Sequence, residues 1–141
     1  MEWIILPYKR YADFSGRSRR MEYWMFRLFE FGVFFVGFIV LGLVSGAAGS
    51  LGGDTAGGLV GGFGFLALML FLLGSFVPGL AVTVRRLHDT GKSGWMILIS
   101  LVPLVGPIAL LVFLFSDGDR GDNQYGPDPK ALTDHAGDIF A

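Results

Sequence analysis

Three apolar stretches, joined by short polar or glycine-rich connections, dominate the chain and predict helices that cross a membrane. They cover residues 23–44, 59–84 and 95–115. The first has about 22 residues, and at about 1.5 Å per residue it would reach about 33 Å, enough to cross a hydrocarbon core of about 30 Å. The second is longer than one span requires, which predicts a tilt or a bend at Pro78-Gly79.

The third apolar stretch is interrupted at its centre by Pro103, Gly106 and Pro107. Two prolines and a glycine so close together break the helical hydrogen-bond ladder. The stretch is therefore either a kinked span or a re-entrant helix pair that returns to the side from which it entered. Because re-entrant backbone survives in a membrane only where protein buries it, we predict the kinked span.

This pattern predicts an all-α integral membrane protein with three transmembrane helices. Residues 1–22 form an amphipathic, basic interfacial segment, in which aromatic and basic side chains suit the lipid headgroup layer. Residues 23–115 form the transmembrane helical domain, and residues 116–141 form a polar, acidic tail. In this tail, tight turns are predicted for residues 116–129, and we expect the remainder, to Ala141, to be mobile. Ser18 is the expected N-cap of the first transmembrane helix.

The distribution of basic residues predicts the orientation in the membrane. Lysine and arginine concentrate in residues 1–22 and 85–94 and are absent from the glycine-rich connection 45–58, which we expect to be flexible. The positive-inside rule then places the N-terminus in the cytoplasm and, with three spans, the C-terminus outside. A re-entrant third stretch would instead leave the tail cytoplasmic. No signal peptide is expected, because no basic region precedes the short N-terminal apolar run.

The amino-acid composition argues against several classes of function. Charged residues make up 16% of the chain, against about 25% in a typical soluble domain. The net charge of -1 argues against nucleic-acid binding, and the absence of cysteine excludes disulfides, thiol nucleophiles and thiolate metal sites. Close helix packing is predicted by three G-x-x-x-G pairs, namely Gly42/Gly46, Gly57/Gly61 and Gly58/Gly62.

Arg27 and Glu30 lie near the start of the first apolar stretch at a spacing that places them on one helical face. The plainer interpretation is that both side chains extend to the headgroups. The alternative is an embedded ion pair that faces other helices, since charges within a membrane usually have partners.

The polar stretch 85–95 separates the second and third apolar stretches, and its residues invite comparison with phosphate-binding loops and metal sites. A phosphate-binding loop would need glycine where the chain has Arg86, and it would need a preceding strand. His88 and Asp89 could begin a metal site, but His135 is the only other histidine and cysteine is absent, so no metal site is predicted. No cofactor and no catalytic residue is predicted either.

Basic side chains make anion binding the remaining chemical prediction. The candidates for binding lipid phosphate or an acidic partner are Arg17, Arg20, Arg85, Arg86 and Lys92. Arg85 and Arg86 end a predicted helix, where cations complement the helix dipole. The plainer interpretation is that these residues set the orientation of the helices and have no further role.

Three segments resemble the signature motifs of one family, the bacterial inner-membrane family catalogued as domain of unknown function 805. They are residues 15–24, residues 85–95 with the following Val102-Pro103-x-x-Gly106 element, and residues 121–129. Met96 is a departure, because a second tryptophan is usual there. The resemblance implies a small multi-span membrane protein and assigns no activity. The polar motif residues are His88, Asp89, Gly91, Ser93, Gly94, Trp95, Asn123 and Tyr125.

We therefore predict a multi-pass protein of a bacterial inner membrane that is not an enzyme. The leading hypothesis is a scaffold or regulator that packs with itself or with a larger membrane protein and contacts anionic lipid headgroups. The second hypothesis is a component of an ion, proton or small-solute transport path. The third is an enzyme that acts on a lipid headgroup.

Overall fold

The computed structural model describes residues 2–131, which are helical apart from turns, and it contains no β-strand within that range. The elements are helix α1 (Glu2–Lys9), helix α2 (Arg20–Asp89), a 3₁₀ helix (Gly94–Leu101) and helix α3 (Val105–Phe115). The chain divides into two compact units, Arg27–Val77 and the combination of Met1–Phe26 with Pro78–Ala141. The all-α prediction is confirmed, whereas the count of three spans is not.

The unit Arg27–Val77 is a helical hairpin, because the backbone of α2 is interrupted at Gly53. Gly53 has φ 80° and ψ 171°, a conformation that is essentially restricted to glycine. The two arms then run antiparallel, so that the Ser45 hydroxyl donates to Gly57 O at 2.7 Å. Residues 45–58 are therefore helical except at Gly53, which corrects the prediction of a flexible connection. The interruption occurs there and not at Pro78.

Glycines allow the two arms of this hairpin to approach each other closely. A Cβ at Gly57 would lie 3.0 Å from Ser45 O, and a Cβ at Gly61 would lie 2.9 Å from Ser45 Oγ. By contrast, a Cβ at Gly58 or Gly62 would meet no atom within 4 Å. One predicted glycine pair is thus used inside the hairpin, and the neighbouring pair faces away from it.

Among the described residues, α2 is the one helix long and apolar enough to cross a membrane, and it has a mean hydropathy of 2.3 over its best 18-residue window. Only 28% of that window is buried. Large apolar side chains such as Leu43, Phe63 and Leu73 are each 70% exposed. Such an extensive exposed apolar surface is typical of a face that contacts lipid or another protein.

The second unit has its own small core around the ends of α2. Tyr23, Phe26, Val82 and Leu114 are buried there and pack together. Tyr8 and Trp24 are partly buried and pack against this core, and the Trp24 ring lies 4.2 Å from the ring of the exposed Phe115. Residues from the start of α2, the end of α2 and the end of α3 therefore form one packed group.

The third apolar stretch folds back on itself, which corrects the prediction of a kinked span. After the 3₁₀ helix the chain turns at Leu104, which has φ 66°, and α3 begins at Val105. Arg86 Nε donates to Leu114 O at 3.2 Å, so the end of the stretch lies beside the residues that precede its start. The reversal is possible because prolines interrupt the helix and because Gly106 packs where any Cβ would overlap Ile99 O.

Candidate functional site

Three polar segments that are distant in sequence converge in the unit of Met1–Phe26 and Pro78–Ala141. They are residues 10–22, the last turn of α2 with residue 90, and residues 114–126. Arg85 and Arg86 were predicted to end a helix, and α2 in fact continues past them to Asp89. Because α2 continues to Asp89, its last turn lies between the N-terminal segment and the C-terminal turns.

Arg85 connects α2 to the N-terminal segment. Its Nε donates to Ser18 Oγ at 2.9 Å, and its Nη2 donates to Glu22 Oε1 at 3.1 Å. Its Nη1 donates to the backbone carbonyls of Asp13 and Arg10. Ser18 therefore accepts a hydrogen bond from Arg85, whereas the N-cap position of α2 is Arg19, which makes no side-chain capping bond.

Arg86 connects the same helical turn to the C-terminal segment. Its Nε donates to Leu114 O at 3.2 Å, and its Nη2 donates to Ser116 O. Its Nη1 donates to Asp89 Oδ2, one turn further along α2. The backbone N–H of Asp119 donates to Asp89 O at 2.7 Å, which adds a main-chain link to the same segment.

Arg17 connects the N-terminal and C-terminal segments to each other. Its Nε donates to Asp89 Oδ1 at 3.0 Å. Its Nη1 donates to Gly121 O at 2.6 Å and to Gly126 O at 3.4 Å, and its Nη2 donates to Asp119 O at 2.5 Å. Asp89 thus accepts from two guanidiniums, one on each of its oxygens.

We call Arg17, Glu22, Arg85, Arg86 and Asp89 the arginine cluster, and each of these residues is at most 6% exposed. Burial lowers the pKa of Arg85, and the Glu22 carboxylate opposes that effect. Burial likewise lowers the pKa of Arg86, with Asp89 opposing it. A buried charge is tolerated when it is both paired and hydrogen-bonded, and all three guanidiniums meet these conditions.

His88 lies beside the arginine cluster with its ring held on two sides. The ring of Tyr125 stacks on it at 3.9 Å with an interplanar angle of 1°, and His88 Nδ1 lies 3.2 Å from Gly16 O. Asn123 Nδ2 donates to the backbone carbonyl of His88 at 2.9 Å. Burial lowers the pKa of His88, and the hydrogen bond to Gly16 partly opposes this effect. Burial therefore favours the neutral form of the ring.

The remaining anion-binding candidates, Arg20 and Lys92, are not buried. The Arg20 side chain is 45% exposed and pairs with the more exposed Asp117. Lys92 Nζ donates to Thr90 O at 3.3 Å and lies 4.8 Å from the centre of the Phe113 ring. Anion binding by these two residues stays a prediction. For Arg17, Arg85 and Arg86, the observed donors are directed to protein acceptors, which argues against direct contact with lipid phosphate.

The other residues of the polar motif shape the turn between α2 and the 3₁₀ helix. Gly91 has φ 66° and donates its N–H to His88 O at 3.1 Å. Ser93 Oγ accepts from the backbone N–H of Trp95 at 3.4 Å, which caps the 3₁₀ helix. A Cβ at Gly94 would lie 3.3 Å from His88 Nε2. Trp95 itself is 79% exposed.

The embedded pair lies in the other unit. Arg27 Nη1 and Glu30 Oε2 are 2.7 Å apart, and their side chains are 37% and 11% exposed. The two residues therefore form an ion pair in which the carboxylate is the better covered partner.

Sequence reasoning missed Glu22, Ser18 and the main-chain carbonyls as partners of the arginines. Glu22 carried a usable signal, because it is the acidic residue in the first turn of α2. The carbonyl partners gave no signal in the sequence, since their identity depends on how the C-terminal segment turns back.

Within residues 2–131, no group of three or more metal-ligating side chains occurs, and His135 lies outside the described residues.

Comparison with known proteins shows which sequences this chain is similar to. Residues 11–127 match the family described as Protein of unknown function (DUF805). Inner membrane protein YhaI of Escherichia coli (strain K12) is 41% identical over 130 residues, which are 92% of this chain and 97% of that protein. Inner membrane protein YhaH of the same strain is 42% identical over 130 residues, or 92% and 98% of the two chains. The uncharacterized protein YiiR is 31% identical over 143 residues, or 84% and 86%. No solved structure matches the chain.

Proposed function

This chain belongs to the DUF805 family, and from that premise we propose that it is a non-enzymatic scaffold or regulator of the bacterial inner membrane. The resemblance inferred from its three motifs is confirmed. Its relatives YhaI and YhaH are named inner membrane proteins, which supports the same location for this chain. In this role it would pack with itself or with a larger membrane protein.

The main support for this proposal is that the polar motif side chains form hydrogen bonds within the protein itself. The three arginines of the arginine cluster donate to two carboxylates and to main-chain carbonyls from both ends of the chain. A group that must bind or transform a substrate needs a free donor or acceptor. Side chains that saturate one another instead hold the N-terminal segment, α2 and the C-terminal turns together, which favours a structural platform.

The hairpin supplies a surface on which helix packing is possible. Gly58 and Gly62 leave open space on its outer side and line a cavity of about 240 Å³ together with Leu66. Small residues at this spacing let helices approach closely in a membrane. This surface supports packing with a second copy or with a partner helix.

Membrane topology is the second part of the proposal. The two arms of α2 would span the membrane over residues 23–44 and 59–84, and residues 94–115 would enter and leave on the cytoplasmic side. α3 has 11 residues, which reach only about 16 Å and cannot cross a core of about 30 Å. Both ends of the chain would then be cytoplasmic. A C-terminal reporter that is active only in the periplasm should stay silent, and activity there would overturn this topology.

The proposed contact with lipid involves two of the five predicted anion-binding residues, because the other three are buried in the arginine cluster. Arg20 is the exposed candidate, and Lys92 is partly exposed. Each basic residue near an anionic surface contributes about 1 kcal/mol to attraction. We therefore propose that Arg20 and Lys92 contact anionic headgroups at the cytoplasmic surface.

A transport component is the second candidate, and two observations favour it. The Glu30 side chain is 11% exposed within a segment that would lie in the membrane, and charges at such depth often line a path for ions or protons. Residues 94–115 fold back on themselves, and a re-entrant backbone in a membrane often borders a cavity. An enzyme that acts on lipid headgroups remains the third candidate.

Reconstitution of the full chain tests the scaffold against the transport candidate. In proteoliposomes, the scaffold predicts proton and anion flux no greater than in protein-free vesicles. It also predicts self-association or a fixed-stoichiometry complex with a co-purifying membrane protein. Gly62→Leu should weaken that association, whereas Gly74→Leu, at another helical glycine with open space, serves as the matched control. Flux that Glu30→Gln abolishes would replace the scaffold by the transport component, and a monomer without any partner would also refute the scaffold.

A further inference from the structure

An open cavity of about 510 Å³ lies beside His88, between the last turns of α2 and the 3₁₀ helix. Its walls are mostly apolar and include Phe14, Leu80, Val84 and Leu98. Cavities of about 300–1,000 Å³ are the usual size for small-molecule sites. No lining side chain is an acid, a lysine or an arginine. A charged ligand group would therefore be buried here without a counter-ion, which is costly.

His88 supplies a fixed hydrogen-bond acceptor to this cavity. Gly16 O can only accept, so the contact at 3.2 Å requires the proton on His88 Nδ1. Nε2 of the neutral ring then carries a free lone pair. Nε2 lies on the side of Gly94, another lining residue, where a Cβ would be 3.3 Å away. Among the described residues, Nε2 has no hydrogen-bond partner, although its ring is held by Tyr125.

We propose that this cavity binds a neutral lipid-soluble molecule that carries one free hydroxyl group. The hydroxyl donates to His88 Nε2, and the apolar part of the molecule occupies the space between Leu80, Val84 and Leu98. A purely apolar molecule would leave Nε2 desolvated and unpaired, which disfavours it. Two chemical sources share this pattern, a glycerolipid with a free hydroxyl and a prenyl alcohol.

Nitrogen-15 NMR of the histidine ring tests the proposal directly. The full chain is labelled at histidine and placed in phosphatidylcholine nanodiscs, with His135→Gln to leave the His88 signals alone. Dioleoylglycerol and farnesol are then titrated in separate arms, each against its O-methyl ether. We expect a saturable shift of the His88 Nε2 resonance with at least one free alcohol and a much smaller shift with its ether. The arm that responds identifies the source.

Two pairs of variants separate binding from folding. His88→Phe keeps a ring against Tyr125 and removes the acceptor, so it should weaken retention of the alcohol by about 2- to 13-fold while the ether is unaffected. Leu80→Trp fills the cavity and should abolish retention of both compounds. Leu101→Trp, on the same 3₁₀ helix but outside the cavity, should change neither.

Equal Nε2 shifts with alcohol and ether, or no saturable shift with either alcohol, would overturn the proposal. Retention that Leu80→Trp leaves unchanged would also overturn it, because the compound would then bind elsewhere. These results are independent of the scaffold function, since the wild-type chain can retain an alcohol whether or not it associates with other proteins.

Discussion

Asp89→Asn should be among the most destabilising conservative substitutions in this chain. Asp89 is 3% exposed and accepts from Arg17 on one carboxylate oxygen and from Arg86 on the other. The substitution keeps the shape of the side chain but removes its charge. It also places an amide NH₂ group, which is a donor, against one of the two guanidiniums.

The structure sets the size of the expected effect. The arginine cluster holds three guanidiniums and two carboxylates, so the loss of Asp89 raises its net charge from +1 to +2. Breaking a buried pair by removing one partner costs about 3–5 kcal/mol, because the other charge remains buried. The amide oxygen of asparagine can still accept one hydrogen bond, so we expect about 3 kcal/mol.

The assay is reversible unfolding of the full chain in mixed micelles with increasing denaturing detergent, followed by circular dichroism. Asp117→Asn is the matched control, because Asp117 pairs with Arg20 while its side chain is 71% exposed. Exposed pairs contribute about 0–1 kcal/mol. A double-mutant cycle with Arg17→Met should also show coupling of at least about 1 kcal/mol between positions 17 and 89, as expected for residues in contact.

A loss for Asp89→Asn of less than about 1 kcal/mol, equal to that of Asp117→Asn, would refute this reasoning. It would mean that the arginines are solvated or find other acceptors, and that the arginine cluster does not hold the segments together.

Three further predictions use the same unfolding assay. Gly53→Ala should cost about 1–3 kcal/mol, because its backbone conformation is one that essentially only glycine adopts. Gly74→Ala, at a helical glycine with open space around it, should be neutral or stabilising by up to about 1 kcal/mol. Gly106→Ala should destabilise by about 1–3 kcal/mol, because the new Cβ would overlap Ile99 O. Burial lowers the pKa of His88 below 6.5, so its neutral form contributes stability above pH 6.5 that is lost as the pH falls. In His88→Phe, the free energy of unfolding should therefore fall less steeply as the pH is lowered. A pH profile of unfolding that matches the wild type would contradict this prediction.

The apolar pattern was sufficient to predict helices, but it could not locate the turn between them. Residues 45–58 contain several glycines, and composition alone made all of them equivalent. The structure distinguishes them by contact, since Gly57 packs on Ser45 while Gly58 faces outward and Gly53 alone leaves the helical conformation. Those differences depend on how the second arm aligns with the first, which is tertiary information.

For the third apolar stretch, the sequence predicted the position of the interruption but not the path of the chain beyond it. The sequence correctly indicated an interruption between Pro103 and Pro107, and it left the kinked and folded-back forms as alternatives. The general cost of re-entrant backbone favoured the wrong one. In the folded-back form, Arg86 donates to two backbone carbonyls near the far end of the stretch, Leu114 O and Ser116 O. Their role could not be seen before the fold was known.

Adjacent arginines at positions 85 and 86 explain why the folded-back form and the arginine cluster depend on each other. Neighbouring residues on a helix point about 100° apart, so one guanidinium faces the N-terminal segment while the next faces the C-terminal segment. Arg86 can reach Leu114 O only if residues 94–115 return to the end of α2 where they began. If that stretch crossed the membrane instead, α3 would end about 30 Å away, and Arg86 would retain only Asp89 as a partner. The buried arginine therefore favours the folded-back form, and the folded-back form in turn keeps the arginine satisfied.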